Sequence, residues 1–182
     1  MKIGILGNGQ LGQMLQDSVT DLTDIEISLY DLRAHSDEAL DAFLASVDRV
    51  GYETENIPAH IVAKLEPIAE KVYPSVEALK VFQNRLLEKR ALRAAGIDTA
   101  DFCAVNSLED VRTAIDTLGL PIVNKTTTES YDGKGQFVLR TPDDAEEAWN
   151  TIGNRELIAE AFVHFTRETS VIASRDVKGN IA

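Results

Sequence analysis

Two lysines and the glycine-bracketed loop between them carry the chemistry most visible in this 182-residue chain. Lys125 follows the apolar run Leu120-Pro121-Ile122-Val123, which reads as a short buried strand. Lys134 lies within Ser130-Tyr131-Asp132-Gly133-Lys134-Gly135-Gln136, where Gly133 and Gly135 let backbone amides approach an anion unobstructed. A cation fixed at a strand end beside open amides suits phosphate. The loop is not of Walker type: the spacing G-x-x-x-x-G-K-[ST] is absent. A strand pattern over residues 136–140 follows the glycines, so phosphates would lie under a hairpin loop instead of on a helix N-terminus. Asp132-Gly133 is also a common turn dipeptide, and an ordinary glycine hairpin with a surface lysine is the competing reading.

A second glycine motif opens the chain. Residues 3–6 form an apolar strand, and Gly7-Asn8-Gly9-Gln10-Leu11-Gly12 is a G-x-G-x-x-G turn leading into a helix with Leu11, Met14, Leu15, Val19 and Leu22 on one face. Ile25, Ile27 and Leu29 alternate as a second strand ending at Asp31. That acid lies about twenty residues after the glycines, where a dinucleotide-binding fold keeps its ribose ligand. An NAD-dependent oxidoreductase is therefore one reading, and glycines that serve only a tight strand-to-helix turn are the other. After a third strand over residues 49–52, Glu53 and Glu55 are placed either to meet a substrate amine or hydroxyl or to cap the helix announced by Pro58.

These motifs need a scaffold, and the pattern supplies one of α/β type. A helix carrying Ala39, Leu40, Phe43, Leu44 and Val47 links the second and third strands. Val72-Tyr73-Pro74 reads as a further short strand, and Ser75 caps a helical stretch that breaks near Asn84 and stops at Gly96. The pattern then restarts, which places the domain boundary near residues 96–100, with domains at 1–97 and 98–182. In the second part, Asp101 to Val105 is a strand, Ser107 caps a helix ended by Gly119, and the Lys125 strand, glycine loop and partner strand follow. Thr141 caps the next helix, Pro142 starts it, and Ala145, Ala148, Trp149 and Ile152 form its inner face. Residues 157–163 and 168–173 read as strands, the latter turning at Lys178-Gly179-Asn180.

Composition narrows the partners. With 18 basic against 30 acidic residues the net charge is −12, and no run of lysine or arginine occurs. Nucleic acid and anionic membranes, which call for concentrated positive charge, are not expected. Cys103 is alone, so no disulfide framework or cysteine metal cluster is expected, and a cytoplasmic setting fits. No segment approaches the ~20 apolar residues of a membrane span. His35, His60 and His164 share no ligand spacing, and the acidic run Asp143, Asp144, Glu146, Glu147 reads as a solvated helix start. No metal ligands are assigned.

The order of parts resembles the ATP-grasp ligases, and within them the N5-carboxyaminoimidazole ribonucleotide synthetase family. The carrying residues are the 7–12 turn, Tyr52-Glu53-Thr54-Glu55-Asn56-Ile57-Pro58, Tyr73-Pro74-Ser75, Gln83-Asn84-Arg85 with Glu88-Lys89, and Gly96-Ile97-Asp98-Thr99-Ala100. Lys125 and residues 131–136 complete the set. The resemblance implies a Rossmann-like pre-ATP-grasp N-terminal domain followed by the small α+β lid subdomain of an ATP-grasp fold. It turns the 7–12 glycine motif away from NAD toward a ribonucleotide substrate.

The implied reaction is ATP-dependent carboxylation of 5-aminoimidazole ribonucleotide with bicarbonate, in purine biosynthesis. Arg85, Lys125 and the loop Ser130, Tyr131, Asp132, Gly133, Lys134, Gly135 and Gln136 would serve the nucleotide phosphates. Glu160, Ala161, Phe162 and Val163 would form an adenine-side hinge, with Glu168 at the ribose. Tyr131 and Asp132 would also contact the imidazole ribonucleotide as catalytic residues, and Gly9, Gln10 and Glu53 would help bind it. ATP, Mg²⁺, bicarbonate, aminoimidazole ribonucleotide and a second copy of the chain, as a homodimer, are the implied partners.

Three departures accompany the likeness. Glu129-Ser130 stands where the family often has two glycines, and the stretch from Asp31 to Val47 is short. The sequence also stops where the ATP-grasp core subdomain should begin, so that core and its Mg²⁺ ligands are expected to be missing. A truncated, non-catalytic nucleotide-binding or interaction protein is therefore the alternative function, with an NAD-dependent oxidoreductase second.

Overall fold

The computed structural model describes residues 1–33, 36–128, 135–176 and 178–182. Two sheets follow one another along the chain. The first is built from β1 (Lys2–Leu6), β2 (Glu26–Tyr30) and β3 (Arg49–Tyr52), all parallel, in the order β2-β1-β3. Parallel neighbours require helical crossovers, and α1 (Gln10–Asp17) and α2 (Asp37–Ala45) supply them. Ser36 caps α2 by accepting a hydrogen bond from the Ala39 amide. The bare Cα of Gly4 lets Phe43 of α2 and Val47 just beyond it press against β1, where a Cβ would collide with the Phe43 ring.

The core of this half lies on the α2 side. Leu6, Leu40, Leu44, Val50, Ile61, Leu65, Val72, Val76 and Leu79 are buried together, so α3 (Ala59–Leu65), the 3-10 stretch Glu66–Lys71 and α4 (Val76–Phe82) join α2 there. On the other face, α1 departs from expectation. Leu11, Met14, Leu15 and Leu22 are exposed and only Gly12 of α1 is buried. The helix is attached by Gly12 and by the Gln16 side chain, which donates to the Ile27 carbonyl at 2.9 Å. Its apolar stripe therefore faces away from the sheet. The strand expected at residues 72–74 is reduced to one parallel bridge between Val72 and Val50.

α5 (Arg85–Ala94) begins at Asn84, whose side chain accepts from the Leu86 and Leu87 amides, and ends at Gly96 with φ +75°. Glycine enters that left-handed conformation without strain, which stops the helix. The second sheet is antiparallel: β4 (Phe102–Val105), β5 (Ile122–Thr126), β6 (Gln136–Leu139) and β7 (Leu157–Ala161), in the order β4-β7-β5-β6. α6 (Leu108–Leu118) and α7 (Asp144–Ile152) cover one face, burying Val105, Val111, Ala114, Ile122, Leu139, Ala145, Ala148 and Leu157.

Two expectations fail here. Thr141 does not cap α7. The Asp144 carboxylate instead accepts from the Arg140 and Thr141 amides and the Thr141 hydroxyl, gathering the incoming chain. The expected strand at 168–173 does not form. A strand must pair its amides and carbonyls with a neighbour; none of the described strands reaches this segment, and Val171 and Ile172 are almost wholly exposed. The turn beyond it exists, with Gly179 at φ +89° between Arg175 and Ile181, which form a bridge.

Candidate functional site

β5 lies inside its sheet, flanked by β7 and β6, so its residues are fixed by hydrogen bonds on both sides. Successive side chains alternate: Ile122, Asn124 and Thr126 are buried, while Val123 and Lys125 point to the face away from α6 and α7. Glu160 of β7 stands opposite Val123 and is thus the diagonal neighbour of Lys125. The Lys125 ammonium donates to Glu160 Oε2 at 3.1 Å.

A second ammonium reaches the same oxygen. Lys89 Nζ, carried by α5, lies 3.2 Å from Glu160 Oε2, and the Glu160 side chain is only 9% exposed. One carboxylate cannot neutralise two ammonium ions, so among the described residues this half-buried centre carries a net single positive charge, within a chain of net charge −12. A positive centre shielded from water attracts an anion far more strongly than exposed lysines do.

α5 places that lysine by a row of contacts one turn apart. Arg85, Lys89 and Arg93 share a helix face at four-residue spacing. The Arg85 amide donates to the Thr127 carbonyl at 2.9 Å and its guanidinium to the Thr126 carbonyl at 3.0 Å. Arg93 pairs with Asp101 at 2.6 Å and stacks over the Phe102 ring. The helix is therefore pinned on both sides of Lys89. At the Arg85 end a cavity of ≈ 280 Å³ opens between Glu55, Asn56, Gln83, Arg85, Glu88 and Thr127.

The N-terminal glycine turn behaves differently. Gly9 is the N-cap position of α1 and offers no side chain. Glu53, 44 residues further on, supplies the cap: its carboxylate accepts from the Gly9 amide at 2.7 Å and from the Gly12 amide. A negative charge at a helix start is also favoured by the helix dipole. Each glycine of the motif makes room for it, since a Cβ on Gly7, Gly9 or Gly12 would collide with the Glu53 side chain. The amides that would cradle a pyrophosphate are thus occupied by a carboxylate of the chain itself. Asp31 is engaged too, in a two-point pair with Arg33 at 2.9 Å, and those hydrogen bonds hold its pKa down to about 2. Neither feature is left open to a dinucleotide, and Glu53 caps α1 rather than the helix that follows it.

The structure brings Lys125 and Glu160 together and sets Arg85 one turn from Lys89 on α5. Gly9, Gln10 and Glu53 meet separately, at the start of α1. Ala161 and Phe162 leave the end of β7 with their amides donating to the Asp101 and Pro121 carbonyls, Val163 is exposed beyond them, and Glu168 lies exposed in irregular chain. Gly135, at φ +72°, accepts from the Thr126 amide, and Gln136 opens β6. Ser130, Tyr131, Asp132, Gly133 and Lys134 lie outside the described residues. Lys89, quoted above among the residues that carry the resemblance, was given no role at the site; its position four residues after Arg85 was the available signal. Among the described residues no group of three His, Cys, Asp or Glu side chains could hold a metal ion, and no helix is long and apolar enough to cross a membrane.

Residues 90–182, just over half of the chain, match the ATP-grasp domain family. The N5-carboxyaminoimidazole ribonucleotide synthase of Pseudomonas aeruginosa is 39% identical over 189 residues, covering 96% of this chain and 52% of the relative. An N5-carboxyaminoimidazole ribonucleotide synthetase solved as its ADP complex has a TM-score of 0.87 at 35% identity, over 100% of this chain and 52% of that one. The Aspergillus clavatus N5-carboxyaminoimidazole synthase, solved with ADP and 5-aminoimidazole ribonucleotide, has a TM-score of 0.77 at 27% identity, over 91% and 47%. The chain spans about half the length of the curated relatives it matches. With the antiparallel sheet, Lys125 and Glu160 inside the matched segment, the chain belongs to the ATP-grasp family.

Proposed function

We propose that the chain serves the ATP-dependent carboxylation of 5-aminoimidazole ribonucleotide to N5-carboxyaminoimidazole ribonucleotide, with its antiparallel sheet receiving the ATP phosphates. The observation that carries this reading is the net positive centre where Lys125 and Lys89 share Glu160. In the reaction, bicarbonate oxygen attacks the γ-phosphorus, the bond to the ADP oxygen breaks, and carboxyphosphate and ADP result. The ribonucleotide amine then attacks the carboxyl carbon, phosphate leaves, and the amine proton passes to solvent or a base.

Within that scheme Lys125 and Arg85 act on the phosphate chain, and the 130–136 loop covers it. The end of β7, residues 160–163, borders the adenine, with Glu168 toward its ribose. Tyr131 and Asp132 contact the imidazole ribonucleotide. Glu53, its two oxygens fixed by the Gly9 and Gly12 amides, keeps lone pairs able to accept from a substrate amine or hydroxyl, beside Gly9 and Gln10. The residues described here do not fit Mg²⁺: Glu160 is held by two lysines, so no step is routed through the metal. That same commitment favours a second reading, a nucleotide-binding module without turnover.

Equilibrium binding of ATP against NADH tests the first claim, with ATP bound and NADH not. ADP release with and without the ribonucleotide separates the two readings: release that depends on the ribonucleotide supports the carboxylation, and tight ATP binding without it supports the module.

A further inference from the structure

We infer that Lys89 is a second phosphate-directed cation of the nucleotide site, paired with Lys125 through Glu160; this rests on the reading that Lys125 meets the ATP phosphates. Both ammonium groups lie against a single carboxylate oxygen, at 3.1 and 3.2 Å. Among the described residues neither has another acceptor. Each ammonium has three N–H donors, so several remain on each side of one buried oxygen. A single phosphate group, with its divergent oxygens, can meet both lysines. A chain of linked phosphoryl groups meets both with further oxygens along its length, while Glu160 keeps the two ammonium ions from repelling each other apart.

Lys89 is also held where this role needs it. Arg85 is anchored to the Thr126 and Thr127 carbonyls one turn before it, and Arg93 to Asp101 one turn after it. A surface lysine with a passing partner has no such framing, and its side chain is not 84% shielded, as that of Lys89 is with 16% exposed.

The test uses the 182-residue chain, its Lys89→Met and Lys89→Arg variants, and two titrants: ATP and inorganic tripolyphosphate. Calorimetry should show Lys89→Met weakening both by about ten- to a hundredfold, the range for a charge-assisted contact. Lys89→Arg should recover most of the affinity. Melting temperature is read alongside; a purely structural lysine would lower it without changing the affinity of folded protein for tripolyphosphate. Tripolyphosphate binding that depends on Lys89, with no binding of ATP, would sustain the cation role and remove the nucleotide reading. Wild-type chain that binds neither titrant, Lys89→Met binding both as tightly as wild type, or Lys89→Arg no better than Lys89→Met would each overturn the inference.

Discussion

The chain contains two places built in the manner of a phosphate seat, and they end in opposite electrostatic states. At the start of α1, three glycines open a cradle of amides, and Glu53 fills it. On the antiparallel sheet, Lys125 and Lys89 meet one carboxylate and retain a positive charge. The first is a balanced structural joint tying β3 to α1; the second is unbalanced and calls for an anion. Shape alone does not make an anion site: what counts is whether the local charge has already been answered from within the fold.

The comparison can be broken most forcefully at Gly7. Its φ of +120° disfavours any side chain, and a Cβ would overlap Glu53 Cγ. Gly7→Val should lower unfolding free energy by about 3–5 kcal/mol, combining backbone strain with lost hydrogen bonds to Glu53, as read by urea denaturation. Retention of wild-type stability would show that the joint is not structural. At the other place, Lys125→Ala should leave the melting temperature nearly unchanged while weakening ATP binding by about 1.5–3 kcal/mol. A large drop in melting temperature with unaltered ATP affinity would make Lys125 a structural partner of Glu160 and nothing more.

Asn124 sharpens the contrast from the buried side of β5. Its amide oxygen and nitrogen are both buried, and neither has a hydrogen-bond partner among the described residues. An unsatisfied buried polar group is unfavourable, so Asn124→Val, β-branched and suited to a strand, should raise stability by about 1–3 kcal/mol in the same denaturation experiment. A loss would point to a polar partner for the amide.

The smallest effect concerns Asp31. Arg33 holds its pKa near 2, so the ionised form is favoured by folding, and this contribution is present above the ordinary carboxylate range. As pH falls from about 4 to about 2 the carboxylate protonates and the contribution is lost. Both side chains are exposed, so the change in stability is slight, and side-chain NMR titration is the better measure. Arg33→Ala should return Asp31 to near the usual carboxylate value.

Much of this was legible in the sequence because it depends on neighbours in the chain. The 7–12 turn, the capping serines at 75 and 107, the break at Asn84 and the glycine stops at 96 and 119 all follow from local chemistry. Lys125 was legible as a cation on a strand. What faces it was not, because the Glu160 diagonal exists only once the register of β5 against β7 is set. Glu53 escaped for the same reason: it caps a helix 44 residues earlier. The outward stripe of α1 and the unpaired segment 168–173 show the other limit, since an apolar pattern states what could be buried and not whether a partner surface is there.

Which of the two places receives the nucleotide is decided by calorimetric titration of ATP into Lys125→Ala and Glu53→Gln side by side. Binding should be weakened tenfold or more in Lys125→Ala, the lower end of a charge-assisted contact, and should match wild type in Glu53→Gln. Loss of ATP binding in Glu53→Gln with wild-type affinity in Lys125→Ala would put the nucleotide at the glycine turn and contradict the proposed function.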